Sequence, residues 1–70
     1  MNLQELKNRF VEVLSRDAFY AWARVLSADD QSIHLEYYNP VWEKGKFQGS
    51  RRLVDCLPLA QIRFIRVFQR

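Results

Sequence analysis

The sequence predicts an α+β fold, one N-terminal helix over residues 3–15 followed by a strongly bent antiparallel sheet of four to five strands. Three observations predict it. Leu3, Leu6, Phe10 and Val13 recur at helical spacing, with Leu14 widening the stripe. From Phe19 onward the apolar period changes to two. No proline or glycine occurs before residue 40, whereas the second half is punctuated by Pro40, Gly45, Gly49 and Pro58.

Each element has its local reason. Asn2 is a good N-cap and Glu5, three residues on, closes a capping box. Arg16 suits the negative end of the helix dipole. The first strand spans 18–27, with Phe19, Ala21, Ala23 and Val25 on one face and Tyr20, Trp22 and Arg24 on the other. The second spans 32–38, where Ile33, Leu35 and Tyr37 share a face opposite His34, Glu36 and Tyr38. A three-residue turn at Asp29-Asp30-Gln31 sets Arg24 against Glu36 and Trp22 against Tyr38, both favourable cross-strand pairs. Asn39-Pro40 is read as the end of that strand, because proline cannot donate to a ladder. Residues 41–50 are then the longest irregular stretch, a hairpin tip, and the next strand, about 46–57, stops at Pro58. Pro58–Ile62 reads as a single helical turn, although Leu59, Ile62 and Ile65 lie three apart and a longer helix competes. The last strand, 62–69, places Ile62, Phe64 and Phe68 on one face and Ile65 and Val67 on the other. A strand apolar on both sides is central or covered by another chain.

Seventy residues make one domain, and a chain of that length buries only about 60% of the surface its unfolded form exposes. Such domains generally need a staple. Cys56 is the only cysteine and His34 the only histidine, so neither a disulfide nor a metal is expected. Self-association remains, and the aromatic content of 14% is more than one small core readily encloses. The N-terminus carries Glu5, Lys7 and Arg9 where a secretory signal is apolar, and no apolar run reaches the length of a membrane span. With a lone cysteine, the expected setting is the cytoplasm.

Charge divides unevenly. Residues 1–39 hold four basic against six acidic side chains, and residues 40–70 hold seven against two. The basic half favours an anionic partner. Nothing in the chain reads as catalytic. His34 and Cys56 are the only nucleophile–base combination, with Cys56 expected as a small buried hydrophobe and His34 facing solvent. Asp29 and Asp30 are explained by turn chemistry, and Gly45 and Gly49 fit no phosphate-cradling loop.

A helix, a meander of strands, the Leu57–Ile62 turn led by Pro58 and a final short strand together resemble the Sm-like and SH3-like small barrels. The hairpin Asp29–Tyr38 has the turn aspartate and alternation of Sm proteins but not the glycine before it, and no basic-glycine pair leads into the final strands. No uridine-binding residue therefore carries over. The resemblance implies a bent five-stranded barrel capped by the helix.

Two surfaces are candidates for binding. Basic and aromatic residues interleave at Trp42, Lys44, Lys46, Phe47, Arg51 and Arg52, followed by Arg63, Arg66 and Arg70, a mixture suited to RNA or other single-stranded nucleic acid. Tyr20, Trp22, Arg24, Glu36 and Tyr38 have the anchor composition of a protein interface. The expected function is a non-enzymatic, cofactor-free, homo-oligomeric binding module, for nucleic acid or, alternatively, for a larger protein partner.

Overall fold

The computed structural model describes residues 3–68. Five antiparallel strands form one sheet in the order β4-β3-β2-β1-β5. They are β1 (Phe10–Ser15), β2 (Phe19–Ala28), β3 (Ser32–Glu43), β4 (Lys46–Pro58) and β5 (Ile62–Val67). β4 and β5 end the order without pairing to each other, so the sheet is not closed into a barrel. The fold is essentially all-β.

The predicted helix over 3–15 is not formed, and the α+β class is corrected with it. Only a single 3-10 turn, Leu3–Leu6, stands at the N-terminus. Asn8 takes a positive φ of 67°, a conformation asparagine tolerates and a helix does not, and the chain then enters β1. Within Phe10–Ser15, Val11, Val13 and Ser15 are buried while Glu12 and Leu14 point away. The helical stripe was one of two periods these residues satisfy. The strand prevails because it has partners on both sides: β1 pairs with β2 and with β5. The 3-10 turn keeps one role foreseen for the helix, since Leu6 is buried and Leu3 packs on the core. The Asn2 cap, Gln69 and Arg70 lie outside the described residues.

The core lies on the inner face of the curled sheet, where Val11, Val13, Ala23, Val25, Ile33, Leu35 and Leu57 are buried with Leu6 and Tyr20. Leu59, Ile62, Ile65 and Val67 pack against it. Four register slips decide which side chains reach it. Between the Val11↔Ala23 and Val13↔Tyr20 rungs β2 carries an extra residue, so parity flips at Ala21-Trp22. Tyr20 therefore turns inward and Phe19 outward, the reverse of the sequence reading. A second slip at Leu26 keeps Arg24 opposite Glu36 and shortens the hairpin end, where Asp29 is followed by a two-residue loop, Asp30-Gln31, rather than three. Asp29 Oδ1 accepts the backbone N–H of Gln31 and of Ser32, and these bonds hold its carboxyl below the usual range. A third slip, at Arg63, brings Ile62 to the side of Ile65 rather than Phe64. β5 is an edge strand and not central.

The fourth slip lies in the segment read as irregular. β3 does not end at Asn39-Pro40 but continues to Glu43, and the ladder with β4 runs on to Glu43↔Lys46. Pro40 is tolerated because β2 leaves β3 after the Arg24↔Glu36 rung, so β3 there is paired on one side only. The slip falls between Pro40 and Trp42, where β4 holds the extra residue and Gly49 has φ 107°. Lys44 (φ 50°) and Gly45 (φ 78°) close the ribbon as a two-residue turn with both φ positive. The β3–β4 ribbon thus extends past the other three strands, in a molecule that measures 44 Å along its longest axis.

Candidate functional site

Three surfaces follow from this frame: the ribbon tip, an arginine–glutamate rung on the outer face, and a groove where β2 and β3 separate.

At the tip, Trp42 and Phe47 face each other across the ladder with ring centroids 5.4 Å apart, edge to face. They are 62% and 57% exposed. Lys44 in the turn and Lys46 on β4, opposite Glu43, lie next to them toward the turn, and Arg51 lies on the other side, opposite Asn39. Four of the candidate nucleic-acid residues, Trp42, Lys44, Lys46 and Phe47, are therefore brought together. Arg52 lies farther down β4. Arg63 and Arg66 are on β5, the opposite edge of the sheet. Arg66 Nε approaches Glu12 at 3.5 Å, and its guanidinium lies 5.1 Å from the centre of the Phe68 ring.

Arg24, Glu36 and Arg52 occupy neighbouring rungs of β2, β3 and β4. The Glu36 side chain is 7% exposed and sits between the two guanidinium groups. Arg52 Nε donates to Oε2 and Arg24 Nε to Oε1, the latter at 3.1 Å. The hydrogen bond from Arg52, aided by both positive charges, holds the Glu36 carboxyl below its usual value against the opposing effect of burial. Beside this rung Trp22 stacks on Phe10 at 5.0 Å and meets Phe68 at 4.6 Å.

The third surface was not foreseen. β2 pairs with β3 only as far as Arg24↔Glu36, and the expected Trp22–Tyr38 pair is not made. Below that rung β2 follows β1 and β3 follows β4, opening a groove of about 440 Å³ between them. Phe19, Trp22 and Tyr38 stand along it, and Tyr20, Tyr37 and Asp55 also line it. Tyr20 and Tyr37 meet edge to face at 5.0 Å. Both hydroxyls donate to the same oxygen, Asp55 Oδ2, at 2.6 and 2.9 Å. Burial first, then the hydrogen bond to Asp55, raises the ionisation of both phenols above the ordinary tyrosine range. Of the candidate interface residues, Tyr20, Trp22 and Tyr38 thus line a groove, with Tyr20 8% exposed, while Arg24 and Glu36 belong to the neighbouring rung. The sequence signal that was missed is Tyr37 and Asp55, which sit across the β3–β4 ladder near one another and read singly as ordinary strand residues.

The phenol pair predicts a pH dependence. Below the free-tyrosine value of 10.0 folded and unfolded chains both hold these protons, and the hydrogen bonds stabilise the fold. As pH rises past it, the unfolded chain releases protons that the folded chain keeps, so stability falls. Urea midpoints measured from about pH 8 to about pH 11 are expected to drop, with a shallower drop in a Tyr20→Phe, Tyr37→Phe chain. An identical slope in the two chains would contradict the assignment.

Cys56 is exposed on β4, contrary to its expected burial, because it shares the outer face of the sheet with Arg52 and Val54. His34 is its register partner on β3. The imidazole Nδ1 lies 3.1 Å from Ser27 Oγ, and no hydrogen bond joins it to the thiol among the described residues. No cluster of three or more potential metal ligands occurs among the described residues, and no helix is long and apolar enough to cross a membrane. No family model matches this sequence, and neither curated proteins nor solved structures yield a match to it.

Proposed function

We propose that this chain is a non-enzymatic binding module that holds single-stranded nucleic acid, RNA foremost, at the tip of the β3–β4 ribbon. The observation that carries the reading is the exposed Trp42–Phe47 pair, with Lys44 and Lys46 beside it at the turn. Rings fixed in place by a ladder offer flat faces to bases, and the lysines with Arg51 meet phosphates. Arg52, committed to Glu36, contributes less charge than its position in the sequence implies.

Binding of a 12-nucleotide oligouridylate is the test. Affinity should fall with salt, with a slope of roughly −2 on logarithmic axes for three phosphate contacts on a single strand. Trp42→Ala is expected to weaken binding about tenfold or more, since stacking on a ring is worth roughly 1–3 kcal/mol per base. No binding at low salt, or a Trp42→Ala affinity equal to the parent's, overturns the reading.

The strand order and the 3-10 turn Leu59–Gln61 before the last strand support an Sm-like or SH3-like relationship. Two unpaired edges, β4 and β5, support self-association, which light scattering would measure as a mass above 8.4 kDa. The exposed single thiol fits a reducing compartment, the cytoplasm. A protein partner is the second reading, favoured by the exposed Trp22 ring on Phe10 and Phe68. Oligonucleotide binding lost in Trp22→Ala but kept in Trp42→Ala would move the nucleic acid to that face and remove the tip.

A further inference from the structure

Asp55 differs from Glu36 in how its charge is met. Glu36 is matched by two guanidinium groups, whereas Asp55 makes no ion pair among the described residues of a chain carrying net charge +3. Its partners are two phenols. Hydroxyl donors stabilise a carboxylate without cancelling its charge, and both bonds fall on Oδ2. Oδ1 accepts no hydrogen bond among the described residues, and no buried side-chain oxygen or nitrogen there lacks a partner, so Oδ1 is reached by solvent through the groove. Among the described residues, Asp55 is also the only charged side chain along that groove.

The walls complete the chemistry. Phe19, Trp22 and Tyr38 are each more than half exposed, and an aromatic face attracts a cation through its quadrupole. A carboxylate at the floor and rings at the sides select positive charge and repel phosphate, so this groove is separate from the path proposed for nucleic acid. The volume of about 440 Å³ admits one long side chain. Beyond the Arg24↔Glu36 rung β3 has no ladder partner on the β2 side, leaving an edge along which an extended backbone can lie.

We propose that the groove between β2 and β3 binds a cationic side chain, lysine or arginine in native or N-methylated form, presented by a partner polypeptide, with Asp55 as counter-charge and Trp22 and Tyr38 as walls. The proposal rests on the groove alone and stands whether or not the ribbon tip binds nucleic acid.

Pentapeptides Gly-Gly-X-Gly-Gly, with X as lysine, trimethyllysine, arginine or norleucine, test it by two-dimensional NMR of the full chain. Cationic peptides are expected to shift the Trp22 indole and the amides of Tyr37, Tyr38 and Asn39. The neutral norleucine peptide should bind about tenfold more weakly or not at all. That comparison uses the unaltered chain, so it does not depend on a variant folding. Asp55→Asn keeps an acceptor for the phenols and removes the charge, and it should lose the cation preference. Equal binding of the norleucine peptide, shifts confined to the Trp42 tip, or an Asp55→Asn chain with unchanged preference would each overturn the proposal. Choline binding as tightly as the cationic peptides would replace the polypeptide with a free small cation.

Discussion

Val13→Asp is expected to leave the chain unfolded, while Leu14→Asp remains folded. The two positions are adjacent, and an N-terminal helix places both on its apolar stripe. In β1 they face opposite ways: Val13 is 0% exposed and Leu14 43%. A carboxylate forced into the Val13 site meets Val11, Ala23, Val25 and the other buried side chains of the core, where the Tyr20 hydroxyl is already given to Asp55. Such burial costs several kcal/mol, comparable with the roughly 3–5 kcal/mol a core of this size supplies. At Leu14 the new carboxylate reaches water, and the loss is an apolar side chain on the rung shared with Phe19 and Phe64, about 1 kcal/mol. Near-ultraviolet circular dichroism and urea titration of both variants decide it. Equal damage at the two positions would mean that the first segment does not alternate.

Asp55→Ala is the second large effect, with an expected loss of about 2–5 kcal/mol. Removing the carboxylate strands the hydroxyls of Tyr20 and Tyr37 together, and a buried donor left without an acceptor costs roughly 1–3 kcal/mol. Tyr20 bears most of this because it is the more enclosed of the two. Asp55→Asn retains an acceptor oxygen and is expected to lose about half as much or less. Restoring balance from the other side should also work: in an Asp55→Ala chain, adding Tyr20→Phe recovers part of the stability, because the stranded hydroxyl is gone. Urea midpoints at unchanged m-value give the comparison. An Asp55→Ala chain as stable as its parent would show that the phenols find water instead.

Both effects depend on facts that differ in how visible they are along the chain. The alternation in Ala23–Val25 and Ile33–Leu35 is local, and it places those side chains inward in the folded molecule. The Arg24–Glu36 rung follows from that alternation and the intervening turn, and it forms. Exposed rings at Trp42 and Phe47 were legible as an aromatic-basic cluster, though not as a continuous ladder. The single turn before the final strand is likewise a matter of Pro58 and its neighbours.

By itself, then, the order of residues determined a meander of half-buried strands and the tip that carries the basic and aromatic groups, since both depend on neighbours within a few positions. Only the tertiary structure decided that Phe10–Ser15 is a strand, because a segment compatible with two periods takes the one whose backbone groups find partners, and those partners are residues 19–24 and 62–67. It also decided the parity of Tyr20, Phe19 and Ile62. A slip of one residue reverses every side chain beyond it. Where the slips fall is set by how the sheet must bend to enclose its core, a property of five strands together and of none singly. The groove with Asp55 at its floor exists for the same reason: it opens where two strands, paired at one end, are drawn apart by their other neighbours.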